Sequence, residues 1–170
     1  EWMNGQHLSM IPVEELEPRV TPAIVTARLA TEEELVERRV WYLSLLDLLR
    51  VHSRTIDDIV RQAGPYFLEN IEYDPTAVAK NWKDPAEAKS MLAATKDALA
   101  SVRDWKPEPL EASLRSLAES RGVAAGKVFQ PLRVALTGMT VSPGIFEMLV
   151  QMGREMSLSR IEKAIAVLGA

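Results

Sequence analysis

The sequence predicts an all-α protein, a helical bundle of two small subdomains that join near residues 70–85. Apolar residues recur every three to four positions through most of the chain, which is the period of an amphipathic helix. Residues that favour helix N-termini precede several of these stretches. No stretch alternates apolar and polar residues as a half-buried strand would.

The composition excludes several kinds of site. The chain has 170 residues, 47% of them hydrophobic, which is enough to bury a core in one large or two small domains. It has no cysteine, which excludes thiolate sites, and its two histidines, His7 and His52, are too few for a zinc site, so we predict no metal site. No apolar run approaches the roughly 20 residues of a membrane span, and we predict no signal peptide. We therefore expect a cytoplasmic protein without a membrane partner.

The first subdomain is predicted to open with a helix that proline interrupts. Apolar residues recur at helical spacing from Val13 to about Arg28. Pro18 and Pro22 lie inside this span, and each removes a backbone donor and crowds the preceding turn. We therefore predict a broken helix.

Two capping signals define the next helices. Thr31 and Glu34 form a capping box, which predicts a long helix to about Val51. Four apolar residues are expected on its buried face: Val36, Val40, Leu43 and Leu46. Thr55–Asp58 repeats the signal, and Gly64-Pro65 is predicted to end the short helix that follows.

The second subdomain shows clearer helix boundaries. Asp74-Pro75 and Asp84-Pro85 each combine a capping aspartate with a proline suited to the first turn. Trp105–Pro109 predicts a rigid joint before a helix that runs to Arg121, with Gly122 as its C-terminal stop. The helix that starts at Pro85 is predicted to bury one face: Ala88, Leu92, Thr95, Leu99 and Val102.

A short apolar helix with a single arginine follows at Gly126–Gly138. Between Lys127 and Arg154 only Arg133 and Glu147 carry charge. The Ser142–Ile145 bend leads into another apolar helix, and a final amphipathic helix is predicted from its apolar residues: Leu158, Ile161, Ile165 and Leu168. A lone arginine on such a surface is either a structural group at the edge of the core or a recognition group.

No residue type or spacing indicates catalysis. The glycines are scattered, so no phosphate-binding loop is predicted, and no nucleophile is paired with a histidine. Carboxylate pairs such as Asp57-Asp58 lie in first turns, where they complement the helix dipole. We therefore predict no catalytic residue in this chain.

Recognition of single-stranded RNA makes different demands, which a few of these residues could meet. It uses planar donors such as arginine, rigid turns and apolar surfaces on which bases stack. Arg133 and the Ser142–Ile145 bend offer these groups, although residue types alone favour a structural role for them and for His52 and Arg54. The net charge of −4 argues against sequence-blind nucleic-acid binding but not against a specific site with few charges.

Several motifs occur in a fixed order: Trp2-Met3-Asn4-Gly5, Gly126-Lys127-Val128, Pro131-Leu132-Arg133-Val134-Ala135-Leu136-Thr137-Gly138, Ser142-Pro143-Gly144, Gly153-Arg154-Glu155 and Ser159-Arg160-Ile161. In this order and spacing the chain resembles the C-terminal, anticodon-binding half of bacterial glutamyl-tRNA synthetases, class I aminoacyl-tRNA synthetases. The resemblance implies a helical cage for the anticodon loop of glutamate tRNA. It also implies a division into a linker from the catalytic half at 1–10 and two anticodon-binding subdomains at 11–72 and 73–170.

The resemblance further implies roles for individual residues. Arg133 would read the first anticodon base, and Ser142, Pro143 and Ile145 would hold the middle base. His52 stands where discriminating members of the family carry an arginine that reads the third base. Histidine is shorter and lacks the arginine fork. Either Arg50 or Arg54 compensates, or selectivity at the third base is relaxed, as in an enzyme that also charges glutamine tRNA.

The family's ATP-binding signatures, His-Ile-Gly-His and Lys-Met-Ser-Lys-Ser, have no counterpart in this sequence. A parent glutamate–tRNA ligase would use ATP and magnesium, but we expect no cofactor in this chain, which alone should not form Glu-tRNA. It is expected to be a monomer that works with the synthetase catalytic domain, either as an excised domain or as a freestanding paralogue. One alternative remains: a helical protein-interaction domain of a synthetase-derived paralogue, without tRNA specificity, that docks a partner on residues 128–150.

Overall fold

A computed structural model describes residues 8–170. Within that range the chain is helical and contains no strand, so the all-α prediction is confirmed. The chain divides into two compact units, Glu1–Glu69 and Asn70–Ala170. The Trp2–Gly5 motif and most of the predicted linker lie outside the described residues. No helix among residues 8–170 is long and apolar enough to cross a membrane.

The first unit is built on the packing of its opening helix against two later ones. Residues 8–10 are helical and are followed by α1 (Val13–Thr26), α2 (Glu32–Glu37), α3 (Arg39–Arg50) and α4 (Ile56–Phe67). Helix α1 packs on α3 and α4. Its buried side chains meet those of the other two helices in one apolar core: Leu16, Val20, Ile24, Tyr42, Leu45, Leu49 and Ile59.

The predicted interruption of α1 was wrong, because the helix continues through Pro18 and Pro22. Both prolines lie on the exposed side, so water can reach the carbonyl groups that lose their helical donors. Burial of the opposite face, where Leu16 and Val20 are inaccessible to solvent, offsets the lost backbone bonds.

The long helix predicted from Thr31 is in fact two helices, α2 and α3, separated at Arg38 with φ −105° and ψ 27°. The capping box of Thr31 and Glu34 is confirmed, with both reciprocal hydrogen bonds present. The predicted buried face was largely wrong, since Val36 is 72% exposed and Val40 is 87% exposed. The prediction holds for Leu46, which is buried. The break changes the register between the two helices, so the other buried residues of α3 are Tyr42, Leu45 and Leu49.

Helix α4 begins as predicted but ends later. Thr55 accepts from the backbone N–H of Asp58 and Asp58 reciprocates, which confirms the second capping box. The helix does not stop at Gly64-Pro65, because it continues to Phe67. Tyr66, just beyond the proline, is buried in the first unit, and this burial favours the additional turn.

The second unit places one buried helix among four others. Its helices are α5 (Pro75–Asn81), α6 (Pro85–Ala100), α7 (Pro107–Arg121), α8 (Gly126–Thr137), α9 (Ile145–Met152) and α10 (Arg154–Leu168). Helix α8 packs against α5, α6, α7 and α10. The predicted aspartate caps at Asp74 and Asp84 are present, and Gly122 ends α7 with φ 64°. Val102, just after α6, is buried as predicted, and the predicted buried face is confirmed at four residues of the helix itself: Ala88, Leu92, Thr95 and Leu99.

Gly138 joins the end of α8 to the segment that precedes α5. Its φ is 72°, a left-handed conformation that favours glycine, and its carbonyl accepts from the backbone N–H of Asp74 at 2.9 Å. A Cβ atom at this position would lie 2.1 Å from the carbonyl oxygen of Glu72. Neither backbone segment could keep its place beside a larger residue.

We predict that Gly138→Ala lowers the free energy of unfolding by about 3 kcal/mol or more, because it combines left-handed strain with a backbone clash. Gly122→Ala is the matched control. Gly122 has φ 64° but no atom within 4 Å of an added Cβ, so its loss should be roughly 1 kcal/mol, from backbone strain alone. Urea denaturation measures both losses, and equal values would contradict the importance of the close approach.

Candidate nucleic-acid interface

Arg133 binds the bend that follows its own helix. Its Nη1 donates to the carbonyl of Pro143 at 2.7 Å, to the carbonyl of Ser142 at 3.3 Å and to the Ser142 hydroxyl. Arg133 and Ser142 are half-buried, and Pro143 is buried. Three of the residues predicted to bind the anticodon are therefore in direct contact within the second unit.

The near end of the same connection is also fixed by Arg133. The Thr137 hydroxyl donates to the Arg133 carbonyl at 2.8 Å and accepts from the backbone N–H of Met139 at 3.1 Å. Ile145, the first residue of α9, is only 4% exposed. Its side chain contributes mainly to the core in this structure, and the accessible part of the bend is formed by Ser142 and the exposed Gly144.

Two side chains outside the predicted site hold α8 in place. Trp82 is buried and donates through Nε1 to the Pro131 carbonyl at 3.2 Å. Arg160, on α10, is only 2% exposed and donates to the Leu136 carbonyl at 3.2 Å. Burial lowers the pKa of Arg160, and the nearby Tyr73 partly opposes that shift. The sequence marked Arg160 only as part of the Ser159-Arg160-Ile161 motif and by its place in an amphipathic pattern, neither of which indicates its partner.

His52 and Arg54 lie together in the turn between α3 and α4 of the first unit, and both are exposed. Gln62, a buried residue of α4 that the sequence did not indicate, binds this turn from the interior of the first unit. Its Nε2 donates to the His52 carbonyl at 3.1 Å and to the Ser53 hydroxyl at 3.0 Å. Ser53 in turn donates to the Leu49 carbonyl at 2.8 Å, which ties the turn to the end of α3.

Asp58 fixes the other side of this turn. Its Oδ2 accepts from the backbone N–H groups of Arg54 at 3.0 Å and Thr55 at 3.1 Å, and Oδ1 pairs with Arg61 at 2.7 Å. The hydrogen bond from Arg54, supported by Thr55 and Arg61, holds the pKa of Asp58 below its ordinary value. The exposed His52 and Arg54 side chains are thus presented by a firmly held backbone.

Arg50 has a different role from the compensating one considered for it. Its guanidinium pairs with Asp47 at 2.7 Å and donates to the carbonyls of Ser9 and Ile11. These contacts anchor the start of α1 on the end of α3. Arg54 is therefore the better candidate for a ligand contact beside His52.

Charge is distributed unequally between the units. Residues 1–69 hold twelve acidic and seven basic residues, whereas residues 70–170 hold twelve acidic and thirteen basic ones. An anionic ligand is therefore favoured on the second unit and disfavoured by much of the first. Among residues 8–170, no group of three or more histidine, aspartate or glutamate side chains is placed to hold a metal ion.

Comparisons with known proteins converge on one family. A family model described as an anticodon binding domain matches residues 13–165. The chain is 33% identical to a glutamate–tRNA ligase of Roseiflexus castenholzii over 99% of its own length and 33% of the relative. It is 34% identical to a glutamate–tRNA ligase of Thermus thermophilus over 97% of its length and 34% of the relative.

A solved structure agrees with these sequence matches. The glutamate tRNA ligase of Elizabethkingia meningosepticum, in complex with its amino acid, aligns with a TM-score of 0.80 and 27% identity. The alignment covers 98% of this chain and 32% of that one. The chain thus spans about one third of the length of the relatives it matches.

We predict that Asp58→Asn lowers stability near pH 7 by about 0.5–1 kcal/mol, through loss of a negative charge at a helix N-terminus. Because folding depresses the pKa of Asp58, its contribution is present above the ordinary carboxyl pKa of about 3.9 and is lost as pH falls through the folded-state value. Urea denaturation from pH 7 to 2.5 should show the two proteins converging at low pH. A gap for Asp58→Asn that persists at pH 2.5 would contradict this assignment.

Proposed function

Because the chain belongs to the anticodon binding domain family, we propose that it holds the anticodon loop of glutamate tRNA and gives a glutamate–tRNA ligase its tRNA specificity. One observation carries this proposal most directly. The arginine and the Ser-Pro bend that resemblance assigns to neighbouring anticodon bases touch each other, with Arg133 Nη1 2.7 Å from the Pro143 carbonyl. Groups that read adjacent bases have to lie side by side.

In this proposal each polar group has a defined task. Arg133 reads the edge of the first anticodon base, and Ser142, Pro143 and Ile145 hold the middle base. A bidentate arginine contact contributes about 1–3 kcal/mol of discrimination between bases, by analogy with DNA readout. The near-neutral balance of the second unit is compatible with RNA binding through a few such contacts rather than through a broad basic surface.

We assign the third anticodon base to the turn between α3 and α4 in the first unit. His52 is exposed on a backbone that Gln62 holds, and Arg54 is exposed two residues later. Imidazole presents fewer donors than guanidinium, so we propose relaxed selectivity at this position, with Arg54 supplying charge. This arrangement fits an enzyme that also charges glutamine tRNA.

The remaining partners follow from the same proposal. The chain works as a monomer in the cytoplasm, beside a synthetase catalytic domain that would bind ATP, magnesium and glutamate. Neither the ATP-binding signatures nor a catalytic pairing occurs in this sequence, so the aminoacylation chemistry is assigned to that other domain. The part proposed here is recognition of the tRNA.

The protein-interaction alternative has little exposed apolar surface to support it. It required an apolar surface over residues 128–150, but the apolar side chains of that stretch lie mostly in the core. Val128, Leu132 and Met148, for example, are inaccessible to solvent. Val141 and Val150 are the large apolar residues of this stretch that are exposed, and they offer little area for a partner.

Titration with altered tRNAs tests the proposed function. The 170-residue chain should bind a glutamate tRNA transcript with the natural anticodon more tightly than transcripts with a changed first or middle anticodon base. The difference should be about tenfold for a lost bidentate contact. Fluorescence anisotropy at fixed salt measures the affinities, because phosphate contacts make them salt-dependent. Equal affinity for every transcript would rule out anticodon recognition by this chain.

A gain of selectivity is predicted for His52→Arg. An arginine fork at this exposed position should increase the preference for the natural third base by about fivefold or more, within the range of a bidentate base contact. The control is His52→Lys, which adds charge without a planar fork and should tighten binding to all transcripts alike. If His52→Arg behaves like the lysine variant, His52 does not face the third base.

A further inference from the structure

We infer that Arg133 couples the reading of the first anticodon base to the reading of the middle base, because its side chain also builds the bend assigned to the middle base. This inference rests on the proposed function and goes beyond the separate roles that resemblance assigns. It makes Arg133 a positioning residue for the Ser142-Pro143 bend as well as a contact for the first base.

A single nitrogen atom of Arg133 makes these contacts with the bend. Nη1 of Arg133 reaches the two successive carbonyls of Ser142 and Pro143, at 3.3 and 2.7 Å, and also the Ser142 hydroxyl. The hydroxyl itself donates to the Pro143 carbonyl at 3.2 Å. The guanidinium therefore lies on the inner side of the bend, between its acceptor groups.

The bend has few other hydrogen bonds. Within the described chain, no backbone–backbone hydrogen bond joins residues 140–143 to another segment. The connection is fixed at Gly138 and Met139 on one side, and it resumes regular bonding where Gly144 accepts from the N–H of Met148. Between these points the side chain of Arg133 is the principal polar tether.

The tether is also a strong one. Hydrogen bonds from an ionised donor are about twice as strong as those between neutral groups. Since Arg133 is half-buried, water competes for these bonds less than it would at an exposed site. Loss of the guanidinium should therefore release the bend, in addition to removing a contact with the first base.

Coupling of this kind has to operate in both directions. If the position of Arg133 depends on the bend, a change in the bend weakens readout of the first base by the same linkage. Ser142→Ala removes the hydroxyl partner but leaves Arg133 and both carbonyls in place. It should therefore reduce a preference at a base that Ser142 itself does not read.

The experiment compares three transcripts of glutamate tRNA: unaltered, changed at the first anticodon base and changed at the middle base. Each is titrated with the full 170-residue chain and with Arg133→Ala, Ser142→Ala and the double variant. Arg121→Ala, an exposed arginine at the end of α7, is the matched control for loss of positive charge. Circular dichroism and thermal unfolding verify that every variant is folded.

We expect Arg133→Ala to reduce the preference at both bases by about tenfold, on the scale of one bidentate contact. Ser142→Ala should lower both preferences by a smaller factor. The double variant should be no worse than Arg133→Ala, because the two residues act as one unit. Arg121→Ala should weaken binding to all three transcripts equally.

Two results would overturn the inference, and they are distinguishable. If Arg133→Ala removes only the preference at the first base, the coupling is wrong and the proposed function stands. If the unaltered chain binds all three transcripts equally, both fail. Should Arg133→Ala not fold, Ser142→Ala decides: a reduced preference at the first base supports coupling, and an unchanged one overturns it.

Discussion

The burial of the C-terminal half of α8 is the constraint on which the second unit depends. Seven of its twelve residues are buried, Leu136 and Thr137 among them, so the carbonyls of its last turn cannot rely on water. Arg160 supplies the missing donor to the Leu136 carbonyl in the last turn of α8, and Trp82 adds a bond to the Pro131 carbonyl, whose helical donor is the N–H of Ala135. An unsatisfied buried group costs about 1–3 kcal/mol, which explains why a buried arginine occupies position 160.

The two units present their candidate contact residues by different physical means. In the second unit the charged candidate residue itself holds the bend, since Arg133 Nη1 binds Ser142 and Pro143. In the first unit the presenting groups are separate from the presented ones: Gln62 and Asp58 hold the backbone from α4, whereas the His52 side chain is exposed. A change of side chain at the first unit's turn is therefore less disruptive than one at Arg133, and this unit is the more adaptable part of the proposed interface.

Local rules predicted the capped helix starts well, because capping depends on residues within one turn of each other. Thr31, Thr55 and Asp84 all cap as expected. Sequence reasoning failed where tertiary burial outweighed local preference, as at Pro18, and where the break at Arg38 changed the register of the following helix. The candidate site residues came from resemblance, but their contacts could not be read from spacing, because they depend on how the α8–α9 connection folds back on its helix.

The bond between Asp74 and Gly138 has a consequence for the order in which the second unit can form during synthesis. The N–H of Asp74, at the start of α5, finds its acceptor only when Gly138 has been made, and the Leu136 carbonyl finds Arg160 only 24 residues later. Contacts so distant in sequence close late and slow folding. A nascent chain that has emerged from the ribosome only as far as α8 can form neither of these two hydrogen bonds. Its apolar helix α8 is therefore exposed to aggregation until α10 has been made.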